Sequence, residues 1–264
     1  AMQQNQGNVW IKNPRNIFGI DSEKKLVEGL VLRDGKVAQI LGPGESITAP
    51  VDEIIDASNL VVLPGLINTH HHFYQSLTRS MRDAINKPLF PWLKTLYPVW
   101  AELTSSDIEI ATRIILAELL LSGCTTTADH HYLFSENCTD PLNVQFQVAT
   151  EMGMRVILTR GSMSLGEDQG GLPPRKVVQG EGDILADCER LLALWHDPQP
   201  YAMNQVALAP CSPFSVTPAL LRESAILADR HNVGLHTHVA ETEEETEFCH
   251  AKFGSRPLDH LEQN

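Results

Sequence analysis

The side chains in this chain best able to do chemistry are imidazoles set two residues apart. His70-His71-His72 follows the apolar run Leu60-Val61-Val62-Leu63 and the stretch Pro64-Gly65-Leu66-Ile67-Asn68-Thr69. Far downstream, Gly234-Leu235 leads into His236-Thr237-His238, and Glu241 follows three residues later. Side chains alternate faces along a strand, so His70 and His72 at a strand's C-terminal end point the same way while His71 points elsewhere. Two neutral imidazoles then converge on one cation. Imidazole nitrogen is a good ligand for a borderline divalent metal such as zinc, and catalytic zinc sites gather His with a carboxylate while keeping one position open for water.

Pro64-Gly65 with His70-x-His72, followed in order by His238-x-x-Glu241, resembles the amidohydrolase superfamily, in its branch of zinc aminohydrolases acting on purines, pterins and triazines. The resemblance covers nearly the whole chain and implies His70, His72 and His238 as metal ligands. It also implies Glu241 as general acid/base, able to protonate a ring nitrogen of the substrate. The other acidic residues of that run, Glu243, Glu244, Glu245 and Glu247, read as a solvated helix start. Superfamily members with two metals bridge them through a carboxylated Lys. No Lys occurs between Lys176 and Lys252, and none from Arg155 to Gly161, so one Zn2+ is expected, with Fe2+ as the alternative.

Three further residues are candidates for the substrate. Gln75 resembles a family Gln that hydrogen-bonds a purine edge. Trp92, expected on a loop after the first barrel strand, could stack on a flat heterocycle or serve as a packing anchor. Cys211, expected at the end of the fourth strand, faces either the ring or the core. For His130 and His131 a structural hydrogen-bonding role is expected.

The segments Leu89 to Pro98, Gly171 to Pro174 and Ala209 to Val216 look most like the 8-oxoguanine deaminase group, whose reaction would yield urate and ammonia. Guanine deaminases carry Pro-Arg-Phe where this chain has Pro210-Cys211-Ser212, which disfavours guanine. Related aminohydrolases or chlorohydrolases acting on isoxanthopterin, guanine or a triazine are the alternatives, and an inactive metal-binding remnant or interaction module is the alternative of another class. The nucleic-acid and cytidine deaminases use His-x-Glu with Pro-Cys-x-x-Cys, of which only Pro210-Cys211 is matched here.

Composition narrows the partners. The chain of 264 residues is 42% apolar, enough for a sizeable core. Its 33 acidic against 20 basic residues give a formal charge of −13, which opposes a polyanionic partner, so a small heterocyclic substrate is expected and nucleic acid is not. No apolar run approaches the roughly 20 residues that span a bilayer, and the opening residues read as no signal peptide. Five scattered cysteines without a Cys-x-x-Cys pair suit free thiols in a cytoplasmic protein. A homo-oligomer is the expected assembly.

The elements that must position these groups fall into two parts. Residues 1–59 read as the N-terminal part of a small β domain, a half-sandwich, with an Asp34-Gly35 hairpin turn between apolar runs. From Leu60 the texture becomes strand, loop and helix in alternation. A capping box is read at Ser106 to Glu109, helix starts at Asp140-Pro141 and Thr217-Pro218, and helix stops at Gly123, Gly153 and Gly234. Five β-then-α steps, with His at the ends of the first and fifth strands, predict an α/β fold: a (β/α)₈ TIM-type barrel of which residues 60–264 hold the first five strands. Superfamily members continue with a sixth-strand His and an eighth-strand Asp, so the chain is expected to be C-terminally incomplete.

Overall fold

The structure, a computed structural model, describes residues 7–20 and 27–264; the opening residues 1–6 lie outside the described residues. The chain divides into two compact units, residues 1–65 and 66–264.

The first unit holds β1 (Val9–Lys12), β2 (Asn16–Ile17), β3 (Gly29–Arg33), β4 (Lys36–Leu41), β5 (Glu53–Asp56) and β6 (Val61–Val62). Four of these form a sheet in the order β4-β3-β1-β5, and β2 pairs separately with β6. Asp34 and Gly35 join β3 to β4 with φ of 50° and 72°, the positive values that a two-residue hairpin turn matching the strand twist requires. One expectation fails here. Val61 and Val62 pair with Asn16 and Ile17, so the run Leu60 to Leu63 is not the strand that leads into the histidines. Pro64, which has no N–H to give a ladder, interrupts the chain, and the units divide after Gly65 rather than after Asn59.

The second unit alternates as read: β7 (Leu66–Asn68), α1 (Leu89–Trp100), α2 (Ser105–Leu121), β8 (Cys124–His131), α3 (Pro141–Met152), β9 (Arg155–Ser162), α4 (Glu181–Trp195), β10 (Asn204–Pro210), α5 (Pro218–His231), α6 (Glu243–Phe253) and α7 (Pro257–Glu262). The strands run parallel in the order β10-β9-β8-β7, so their C-terminal ends share one edge of the sheet. This is the α/β fold that the alternation predicts. The fifth strand, however, is reduced to a single bridge, Leu208 to Leu235. It lies beside β10, and at Ala240 the backbone turns at φ 55°, which ends any extended run.

Local signals explain most helix ends. Thr104 and Asp107 form a reciprocal capping box at α2, two residues before the expected one. Pro141 and Pro218 occupy first-turn positions, where a missing N–H costs nothing. Gly153 closes α3 in the left-handed conformation, whereas α5 stops at Asn232 (φ 52°) and not at Gly234. Helix α1 reads only as a loop in the sequence, because Pro91 and Pro98 flank Trp92. Pro91 falls in the first turn, where it is tolerated.

Two apolar clusters hold the unit together. Leu116, Phe146, Val156, Leu158, Leu191, Val206, Leu208 and Leu220 fill the layer between sheet and helices. Tyr74, Leu96, Trp100, Leu133, Met163 and Phe214 form a second cluster, which brings α1 and the loops after β7 to β10 together.

Candidate metal centre and active site

His70 and His72 lie just beyond β7 rather than on it. The His70 N–H donates to Asn68 Oδ1 at 3.0 Å, and His72, still extended (φ −134°), precedes a 3-10 turn over Phe73–Thr78. The extended backbone keeps the alternation, so both rings face one side. His238 arrives from the opposite edge: the His236 N–H donates to Leu208 O (2.8 Å) and the His238 N–H to Cys211 O (3.0 Å). In a flat sheet the first and fifth strands would stand about 19 Å apart, with side chains perpendicular to the sheet. Here the Nε2 atoms of His70, His72 and His238 are mutually 3.2–3.3 Å apart. The sheet is therefore curled until its two edges meet above the strand ends.

The donor set fits a zinc ion. Nitrogens at the usual 2.0–2.1 Å from tetrahedral zinc are about 3.3 Å from each other. His72 Nδ1 lies 2.7 Å from His130 O, and His238 Nδ1 lies 2.8 Å from Cys211 O. A carbonyl only accepts, so both Nδ1 atoms carry the proton and both Nε2 atoms present a lone pair to the common point. Burial, followed by the neighbouring His238, pushes His72 down to about 3, and burial also lowers His238. These two rings are neutral at physiological pH. Lone pairs facing each other this closely repel unless a cation sits among them.

A cavity of about 300 Å³ opens over this cluster, and every sequence-predicted site residue lines it: His70, His72, Gln75, Trp92, Cys211, His238 and Glu241. Burial raises the pKa of Glu241, with His70 opposing. The Cys211 thiol, on the wall of the cavity, is pushed up to about 12 by burial. A second grouping of possible donors is His130, Cys211 and His238. Trp92 sits on α1, edge-on to Trp100 at 5.3 Å, and is both packing anchor and cavity wall.

Several contributors were not read from the sequence. Tyr132 lines the cavity and its hydroxyl accepts a hydrogen bond from Gln75 Nε2 at 3.1 Å. Its position at the C-terminal end of β8 was the available signal. Asp129, wholly buried, accepts from Phe73 N–H (2.7 Å) and Gln145 Nε2 (2.6 Å) and so ties the loop after His72 to α3. Burial raises its carboxyl to about 7. His131 has the expected structural role, Nε2 donating to Leu133 O at 2.7 Å. His130 does not: neither ring nitrogen has a partner among the described residues, and the ring stacks on His238 at 4.4 Å. The acidic run is not simply solvated either, since Glu245 is fully buried and Glu244 Oε2 accepts from the Phe90 N–H at 3.2 Å.

The model of the amidohydrolase family matches residues 61–263. The chain is 56% identical to the 8-oxoguanine deaminase of Pseudomonas aeruginosa over 96% of its own length and 56% of that protein. It is 38% identical to hydroxydechloroatrazine ethylaminohydrolase of Pseudomonas sp. strain ADP, over 88% of this chain and 50% of that one. Among solved structures, atrazine chlorohydrolase from Arthrobacter aurescens TC1, complexed with zinc, superposes with a TM-score of 0.87 at 27% identity, covering 97% of this chain and 58% of that one. The chain spans about half the length of the curated relatives it matches. With the family model covering most of it, and an α/β unit that brings three imidazoles together above the ends of a parallel sheet, the chain belongs to the amidohydrolase family.

Proposed function

We propose that the protein is a zinc-dependent hydrolytic deaminase of a bicyclic amino-heterocycle, with 8-oxoguanine as substrate and urate and ammonia as products. The observation that carries this reading is the meeting of His70, His72 and His238 from opposite edges of one sheet, with Glu241 on the wall of the same cavity. The 56% identity to an 8-oxoguanine deaminase supports the choice of ring.

His70, His72 and His238 would hold one zinc ion. When bound, zinc lowers the pKa of water to about 7 and so supplies a strong nucleophile near neutral pH. The rest is the work of this chain's side chains. Replacement of an exocyclic amine by oxygen requires a proton at the adjacent ring nitrogen and another on the departing amine. Glu241, with its pKa raised by burial, is suited to hold and deliver that proton. Gln75 and Tyr132, already hydrogen-bonded to one another, offer a donor and an acceptor to the purine edge. Trp92 supplies a flat face, while Leu89, Leu93 and Phe214 keep the cavity apolar and exclude bulk water.

We further infer that the curled parallel sheet is part of a (β/α)₈ barrel. Convergence of the two outer strand ends on one axis supports this, since a closed barrel brings nonadjacent strands to a single central point. Five free, buried cysteines support a reducing, cytoplasmic setting. No helix among the described residues is long and apolar enough to cross a membrane.

The test is a substrate panel. Ammonia release by the zinc-loaded full-length protein is measured with 8-oxoguanine, guanine, isoxanthopterin and an alkylamino-hydroxytriazine, with urate formation followed for the first. The highest kcat/KM is expected for 8-oxoguanine. A different preferred ring would replace the substrate assignment, and no ammonia from any of them would favour a metal-binding remnant.

A further inference from the structure

Glu245 is buried to 0% exposure although it sits in the first turn of α6, in a run of glutamates. Burying a carboxylate is costly unless its oxygens are hydrogen-bonded, so its partners explain why it is there. Both oxygens are engaged. Oε1 accepts from the Ala240 N–H at 3.1 Å and Oε2 from the Glu241 N–H at 2.6 Å.

The surrounding sequence Thr242-Glu243-Glu244-Glu245 has the pattern of a capping box, in which the fourth residue reaches back to the N–H of the first. The Thr242 side chain does its part, accepting from the Glu245 N–H at 3.3 Å. Glu245 departs from the pattern by reaching one and two residues further, past Thr242 to the turn that presents Glu241. Ala240 in that turn has φ 55°, a left-handed conformation that a residue with a Cβ adopts only when something holds it there. Two successive N–H groups chelated by one carboxylate are such a hold. The helix already has its cap in Thr242, so the contribution of the Glu245 carboxylate falls on the 240–241 turn. That turn links the metal-cluster residue His238 to Glu241.

We propose that Glu245 is a positioning residue for the reaction: its carboxylate fixes the backbone of Ala240 and Glu241 so that the Glu241 side chain meets the cavity in a productive orientation. The proposal rests on the assignment of Glu241 as the proton-transferring group. A misplacement of about 1 Å at such a group can cost about 10²-fold in rate.

The experiment is a double-mutant comparison in the zinc-loaded protein, with kcat, KM and zinc content measured for wild type, Glu241→Gln, Glu245→Gln and the double variant. Glu245→Gln keeps the volume but exchanges one acceptor for a donor that faces an N–H. Expected are a fall in kcat of about 10- to 100-fold, KM within about threefold, unchanged zinc, and a further loss of less than about threefold when Glu245→Gln is added to Glu241→Gln. Rescue of most of the loss by Glu245→Asp is not expected, because the shorter side chain cannot span both N–H groups. Equal losses in both backgrounds, loss of zinc with Glu245→Gln, or no loss in the wild-type background would overturn the proposal. If Glu245→Gln does not fold, Glu245→Asp is read by the same comparison. Unchanged turnover in Glu241→Gln alone overturns the underlying reading, whereas a Glu241 effect without a Glu245 effect overturns only the positioning role.

Discussion

His72 Nε2 lies 3.2 Å from His238 Nε2, although 166 positions separate the two residues in the chain. Each ring is held from behind by a backbone carbonyl of a different strand end, that of His130 in the last residues of β8 and that of Cys211 just after β10. The two edges of the sheet are thereby pinned to one point, and what fills that point decides the chemistry.

Removing any one of the three rings takes away a metal donor, so His70→Ala, His72→Ala and His238→Ala should each lower bound zinc severely, since metal affinity follows ligand count. Elemental analysis after dialysis against a weak chelator checks this. Stoichiometric zinc in all three variants would remove the cluster from consideration as the metal site.

Cys211 should behave as a wall and not as a ligand. The contact that orients His238 comes from the Cys211 backbone carbonyl, which survives side-chain replacement. Cys211→Ala is therefore expected to keep zinc at the wild-type level, with changes confined mainly to KM. Loss of zinc in that variant would instead point to the grouping of His130, Cys211 and His238.

Much of this site was legible in the sequence, and the reasons are local. His-x-His after an extended segment is a spacing that short-range geometry turns into convergent side chains, whereas the joining of His238 and Glu241 to that pair was legible only through the resemblance to the amidohydrolase superfamily. The Pro-at-first-turn and Asp-Gly signals worked for the same short-range reason at Pro141, Pro218 and Asp34-Gly35. What was not legible depends on partners far away in the chain. Leu60 to Leu63 reads as a barrel strand until Asn16 and Ile17 are known to pair with it. Glu245 reads as a solvated charge until the turn at Ala240 folds back onto it, and Trp92 reads as a loop residue because two prolines flank it within the helix that carries it.

Asp129 predicts a pH dependence of stability. Burial raises its folded-state pKa to about 7, above the unfolded value of about 3.9. The stabilisation is fully present below about pH 4 and is lost as pH rises through about 7, because the unfolded chain ionises first; the whole window is worth at most about 4 kcal/mol. Asp129→Asn removes the titration. The amide oxygen that this substitution introduces can still accept from the Phe73 N–H, and Gln145 Oε1, which has no partner among the described residues, can turn to accept from the new amide N–H. Denaturant unfolding at equal zinc loading from pH 5 to pH 8 should show wild type losing stability relative to Asp129→Asn as pH rises. A constant difference across the range would contradict the assignment.

The substrate wall is tested separately from the metal. Trp92→Ala and Gln75→Leu leave all three imidazoles in place, so zinc should stay stoichiometric. Losing a stacking face or an edge hydrogen bond costs about 1–2 kcal/mol, so kcat/KM should fall by about 10-fold in each. Steady-state kinetics on 8-oxoguanine give the answer, and wild-type values in both variants would remove these residues from the pocket.

By the proposed function, Glu241 moves protons at a site whose metal is held by His70, His72 and His238. Glu241→Gln keeps the side-chain shape and all three metal donors but cannot exchange a proton. Zinc content and ammonia release from 8-oxoguanine should be measured on the same preparations of wild type and variant. Near-stoichiometric zinc with turnover lowered by about 10²-fold or more is the predicted result; wild-type turnover in a zinc-loaded Glu241→Gln protein would contradict the account.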